Sequence, residues 1–115
     1  MVELKKTVII KKNYEFRNIL KKGICYRGIL FDIFIKKNGK NINKLGVAIS
    51  KKAGNSVKRN KIKRLIRENY RLLEENLKMG NSIVILWKKN AEFKNFDFYK
   101  IKKELEEHFK KSKIM

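Results

Sequence analysis

Lys51-Lys52-Ala53-Gly54-Asn55-Ser56-Val57-Lys58-Arg59-Asn60-Lys61-Ile62-Lys63-Arg64-Leu65-Ile66-Arg67-Glu68-Asn69-Tyr70-Arg71 sets nine lysines or arginines against a single acid, Glu68. At about 100° per residue, Lys63, Arg64, Arg67 and Arg71 each fall within about 60° of Asn60, while Ile62, Leu65, Ile66 and Leu73 centre on the opposite side. One face of this helix is therefore for a core and the other for a polyanion. A merely solvated helix mixes signs to gain i,i+4 pairs, and only Glu68 does so here. Extended backward, the same register carries Lys58 and Arg59 toward the apolar side, which places the first turn at a surface edge.

The segments on either side complete a layer. Leu45-Gly46-Val47-Ala48-Ile49-Ser50 alternates, with Leu45, Val47 and Ile49 facing a core and the small residues Gly46, Ala48 and Ser50 facing away. Ser82-Ile83-Val84-Ile85-Leu86-Trp87 is apolar almost throughout, as expected of a strand covered on both faces. Strand, basic helix and strand make a crossover unit. Upstream, Ile29 to Ile35 reads as a strand with Ile29, Phe31, Ile33 and Ile35 inward and Leu30, Asp32 and Phe34 outward, ended by the turn Lys36-Lys37-Asn38-Gly39. Phe34, beside the low surface of Gly46 and Ala48, borders a groove.

Before that strand, Asn13 is positioned to cap a helix of roughly ten residues carrying Phe16, Ile19 and Leu20 on one face and stopped by Gly23. Val8-Ile9-Ile10 is short enough to be an edge strand or a packed-down segment. The basic helix runs to about Leu77, and Met79-Gly80-Asn81 breaks it. Phe98, Ile101, Leu105 and Phe109 mark a last amphipathic helix, with Asn95 or Asp97 as its cap. The order of elements predicts an α/β (α+β) two-layer sandwich, with three helices on a mixed sheet of about four strands and no linker to divide residues 1 to 115.

Composition narrows the function. The 115 residues hold 43% hydrophobic residues, enough for one core, and a net charge of +20, which calls for a polyanionic partner. No apolar run approaches the roughly 18 to 20 residues of a membrane span, and the start lacks a secretory segment, so the expected location is the cytoplasm. Cys25 and His108 are each alone of their kind. No disulfide, no cysteine-based metal site and no paired-carboxylate or nucleotide-loop motif is readable, so neither protein catalytic residues nor protein metal ligands are predicted. Gly54-Asn55-Ser56, at the start of the basic helix, reads equally as a phosphate cradle or an ordinary turn and N-cap.

The run Lys52-x-Gly54-x-Ser56-x-x-Arg59-Asn60-Lys61-Ile62-Lys63-Arg64-x-Ile66-Arg67 resembles the Arg-Asn-Arg signature of the bacterial ribonuclease P protein subunit, and the likeness extends from about Asn13 to Phe109. Ser56 stands where that family usually has Ala, and Lys61 where Arg commonly closes the triplet, which keeps the charge but not the fork geometry. The resemblance implies a fold like domain 2 of ribosomal protein S5, with a left-handed βαβ crossover where general statistics favour a right-handed one. It also implies a role in removing the 5′ leader of precursor tRNA. In that family the partner ribonuclease P RNA does the chemistry with Mg²⁺, one protein serving each RNA.

Carried onto this sequence, the surface for the catalytic RNA comprises Lys52, Asn55, Lys58, Arg59, Asn60, Lys61, Lys63, Arg64, Arg67 and Arg71. The leader site comprises Lys12, Phe16, Leu20, Phe34 and Lys52, with Leu20 where an aromatic is common. The main rival is a ribosomal protein of similar fold. A DNA reader using the helix in the major groove expects base contacts at the helix start rather than charge along its length. A membrane-surface helix leaves the flanking strands unexplained.

Overall fold

The computed structural model describes residues 6–88 and 98–115. The doubly apolar segment becomes β5 (Asn81–Trp87), and it is the central strand. On one side it runs parallel to β4 (Asn43–Ile49), on the other antiparallel to β3 (Phe31–Lys37). β1 (Thr7–Ile9) adds in parallel to β4, and β2 (Ile24–Tyr26) antiparallel to β3, giving the order β1-β4-β5-β3-β2. Among the described residues the sheet thus has five strands, not about four. β2 went unread because three residues are too few to show a period; it exists by pairing with the free edge of β3.

α1 (Asn13–Lys22) lies on one face of the sheet, and α2 (Ser56–Leu73) and α3 (Phe98–Lys111) pack on the other. Asn13 is the first helical residue and not the cap; Lys12 holds that position without a side-chain hydrogen bond. Gly23 does stop α1, but for want of space. Its φ is −76°, open to any residue, whereas a β-carbon there would lie 2.6 Å from the Ile19 carbonyl oxygen and 3.1 Å from that of Ile35. α2 stops at Leu73, four residues short of the expected end, and a 3-10 turn, Glu74–Asn76, finishes the run. The expected cap of α3, Asn95 or Asp97, lies outside the described residues.

The main core fills the space between the sheet and α2 with α3. Phe31, Ile33, Ile83, Ile85 and Trp87 meet Ile62, Ile66 and Tyr70 from α2 and Ile101, Leu105 and Phe109 from α3, all fully or almost fully buried. A buried tyrosine needs a partner for its hydroxyl; Tyr70 Oη lies 2.8 Å from Thr7 Oγ1 of β1. The same burial pushes the Tyr70 phenol up to about 12. The helix of the crossover is thereby tied to the sheet edge as well as to its centre.

Ile29 is the one clear misassignment of a face. Expected inside, it is 86% exposed, while Leu30 is buried. Its amide, with those of Leu30 and Phe31, donates to the Glu104 carboxylate of α3 at 3.2, 3.0 and 2.9 Å. With three successive N–H groups turned to one carboxylate, the chain bends there and the strand ladder starts only at Phe31. Burial raises the Glu104 carboxyl, but the His108 ring and the Leu30 and Phe31 amides outweigh it and hold the group below the usual carboxylate value. His108 Nε2, itself buried, is 3.7 Å from Glu104, beyond a hydrogen bond but within reach of an ion pair when the ring is protonated.

Candidate RNA-binding surfaces

The first surface is α2. Gly54 precedes it with φ 153°, a conformation that favours glycine, and the Asn55 side-chain oxygen accepts the Lys58 N–H at 2.9 Å. Of the two readings of this turn, the geometry shown is the N-cap. Ser50 Oγ accepts from the Lys52 N–H in the same manner at 3.2 Å, holding a 3-10 turn, Lys51–Ala53, at the end of β4. Lys52, Asn55, Lys58, Asn60, Lys61, Arg64 and Arg71 are exposed, and Arg59, Lys63 and Arg67 are half-buried. Ile62, Ile66 and Leu73 are buried on the opposite side, with Leu65 at the margin.

Arg59 and Arg67 each have a shielded Nε with no hydrogen-bond partner, so only their terminal nitrogens are offered to a ligand. Within the described residues no ion pair neutralises Arg64, Arg67 or Arg71. α2 therefore keeps a cationic outer face in the folded state.

The second surface follows from strand register. On the face under α1, pairing aligns Lys44, Ser82 and Lys36 in one row; Gly46, Val84, Phe34 and Cys25 in the next; and Ala48, Leu86 and Asp32 in a third. α1 sits over the first two. Lys44 pairs with Glu15 at 3.2 Å, Lys36 donates to Asn18 at 2.6 Å, and the Phe16 ring lies on Gly46, where a β-carbon would come within 2.6 Å of it. Phe16, Leu20 and Phe34 are partly buried around a small cluster of Ile10, Ile19 and Val84. Ala48 and Leu86, partly exposed, belong to neither cluster.

The result is a groove with Phe16, Leu20 and Phe34 along one wall and the third row as its floor. Lys52 stands exposed in the turn beyond β4. Lys12 precedes α1 with its ammonium 5.7 Å from the centre of the Tyr14 ring. Of the five expected leader residues, Phe16, Leu20 and Phe34 thus share one wall, Lys52 stands apart in the turn after β4, and Lys12 keeps company with Tyr14.

Two features escaped the sequence reading. α1 has a second flank, where Tyr14 and Asn18 with Lys36, Lys37, Lys40 and Lys44 line a pocket of about 540 Å³. Its signal was the i,i+3 pair Glu15 and Asn18, set off from the i,i+4 pair Phe16 and Leu20. The other is Asp32, an acid on the groove floor, visible as the outward member of an otherwise apolar strand. Cys25, exposed on β2, has its thiol held above the ordinary value by partial burial and then by the Asp32 charge, so it is not activated as a nucleophile.

Residues 4–113 match the protein family described as Ribonuclease P. The chain belongs to the ribonuclease P protein family. A ribonuclease P protein component from Natranaerobius thermophilus is 39% identical over 108 residues, spanning 94% of this chain and 92% of that one. Its counterpart in Clostridium botulinum strain Langeland is 46% identical over 88 residues, 76% of this chain and 79% of the other.

Solved structures agree. The Staphylococcus aureus RNase P protein superposes with a TM-score of 0.82 at 34% identity, over 92% of this chain and 95% of that one. The Thermotoga maritima RNase P protein gives 0.81 at 28% identity, over 90% and 96%. The expected α+β fold is thus that of ribonuclease P proteins, and a ribosomal protein of similar fold is not the favoured reading. Membership assigns the chain a role in an endoribonuclease complex with ribonuclease P RNA. No helix among the described residues is long and apolar enough to cross a membrane.

Proposed function

We propose that this ribonuclease P protein binds the catalytic RNA through the outer face of α2 and the 5′ leader of precursor tRNA in the groove beside α1. The RNA, with Mg²⁺, then cleaves the leader to give the mature tRNA end. The unneutralised row Arg64, Arg67 and Arg71 carries the reading: an apolar stripe pins the helix, and among the described residues these three arginines form no ion pair. Such a face suits phosphates along a structured RNA, which fix position rather than read sequence. The aromatic wall suits an unpaired strand, whose bases stack on rings whatever their identity. One protein per RNA, acting in the cytoplasm, completes the reading.

The test is reconstitution at low Mg²⁺ with ribonuclease P RNA and precursor tRNA. Protein and RNA together should process the precursor faster than RNA alone, and rigorously RNA-free protein should leave it intact. Turnover by the protein alone would overturn RNA catalysis, and no effect of protein on the RNA reaction would overturn the assignment of both surfaces.

A further inference from the structure

Among the described residues Asp32 is the only acid in a strand, in a chain of net charge +20, and it lies on the floor of the groove assigned to a polyanion. One of its oxygens is engaged: Oδ1 accepts the Gly28 N–H at 3.1 Å and lies 3.5 Å from Lys88 Nζ. Oδ2 has no hydrogen-bond partner among the described residues, and the side chain is 19% exposed. An ionised carboxylate only accepts. It repels phosphate and answers to a donor.

We infer that Asp32 reads one base of the bound leader, selecting an exocyclic amino group, as on cytosine, over the carbonyl that uracil presents at the same place. This rests on the leader groove proposed above and adds specificity to it. Asp32 and Phe34 are alternate residues of β3 on one sheet face, about 7 Å apart along the strand. A base stacked on Phe34, or its neighbour, brings its free Watson–Crick edge to that distance, and on an unpaired strand that edge is what a protein reads. Carboxylates pair with the cytosine N4 amino group on the same chemical ground.

Two other roles are open to the same atoms, and each predicts something different. If Asp32 only holds the turn through Gly28 and pairs with Lys88, leader sequence is irrelevant to it. A bond to a ribose 2′-hydroxyl, present on every nucleotide, would strengthen all leaders alike.

The experiment uses the protein bound to ribonuclease P RNA, with precursor tRNA whose leader is uridine throughout except for one cytidine moved a position at a time. Cytosine and uracil are the same size, so the comparison isolates the amino group. Wild type should show one position where cytidine tightens binding about tenfold, the scale of a hydrogen bond to a charged group. Asp32→Asn retains an oxygen for Gly28 but places an amide donor where Oδ2 was, so the preference at that position should vanish or turn toward uridine. Asp32→Ala should leave cytidine and uridine equal, and a thermal melt on each variant should stay near wild type.

A cytidine-to-uridine ratio near one at every position in wild type would overturn the inference, as would a preference that survives in Asp32→Asn or equal weakening of all leaders. Wild-type enzyme that binds precursor and mature tRNA alike would instead remove the leader groove, and base reading with it.

Discussion

The two faces of the sheet are built to different standards. Between the sheet and α2 with α3, nineteen buried residues among those described form one continuous core; under α1 there are three. The difference is not one of strand sequence alone, since Val84 and Phe34 are as apolar as their inward neighbours. It arises because α1 is ten residues long and lies over two of the three cross-strand rows, whereas the opposite face has two longer helices. Folding energy is concentrated on the filled face, which leaves the other free to keep rings and small residues near solvent. A groove can exist only because stability does not depend on closing it.

Substitutions should respect that division. Phe109 is fully buried and meets Tyr70 edge-on at 6.1 Å. Phe109→Ala should destabilise the protein by about 3 to 5 kcal/mol, read as a lower urea midpoint, with RNA affinity falling only as far as folded protein is lost. A midpoint close to wild type would mean that the filled face is less essential than its packing implies.

Glu104 belongs to the same face but acts through charge. Glu104→Ala orphans the amides of Leu30 and Phe31 and should cost roughly 1.5 to 3 kcal/mol. Because its folded-state pKa is depressed, the stability it confers is full above its ordinary value of 4.5 and is lost as the pH falls through the lower folded value. Urea unfolding at a series of pH values should show that acid limb in wild type and lose it in Glu104→Gln. An identical pH profile in both would assign the limb to other groups.

On the open face, Phe34→Ala or Phe16→Ala should cost roughly 1 to 3 kcal/mol in affinity for leader-bearing precursor tRNA. Mature tRNA and the catalytic RNA should be bound as before. Equal losses for precursor and mature tRNA, accompanied by a lower melting temperature, would show that both rings belong to a core after all.

The smallest effect is expected on the outer face of α2. Arg64→Ala should lower the slope of log K against log salt for ribonuclease P RNA by about one unit or less, with the thermal melt unchanged. A collapsed melt would mean that this residue does not face outward.

How much of this was legible depended on whether the cause was local. The face of α2, the central place of β5 and the start of α1 near Asn13 follow from periodicity within a dozen residues, and they stand as read. The start of β3 did not, because the group that bends Ile29 outward is Glu104, 73 to 75 residues away from the amides it binds. β2 is likewise defined by its partner. The groove wall was named from the resemblance and the strand alternation, but its floor needed the register, which aligns Ala48, Leu86 and Asp32 from three strands. Gly46 was read as small, and the structure adds that its smallness makes room for Phe16.

The place of β5 also bears on how the protein is made. β3 and β4 are successive strands yet not neighbours; each borders β5, the last of the described strands to be synthesised. Until Asn81–Trp87 emerges, the nascent chain holds only two separate pairs, β1 with β4 and β2 with β3, and isolated two-stranded ribbons are marginal in water. By then every cation of α2 has already been synthesised. The most highly charged segment is thus made before its apolar stripe has a complete sheet to rest on, and the seven residues of β5 join the two halves at once.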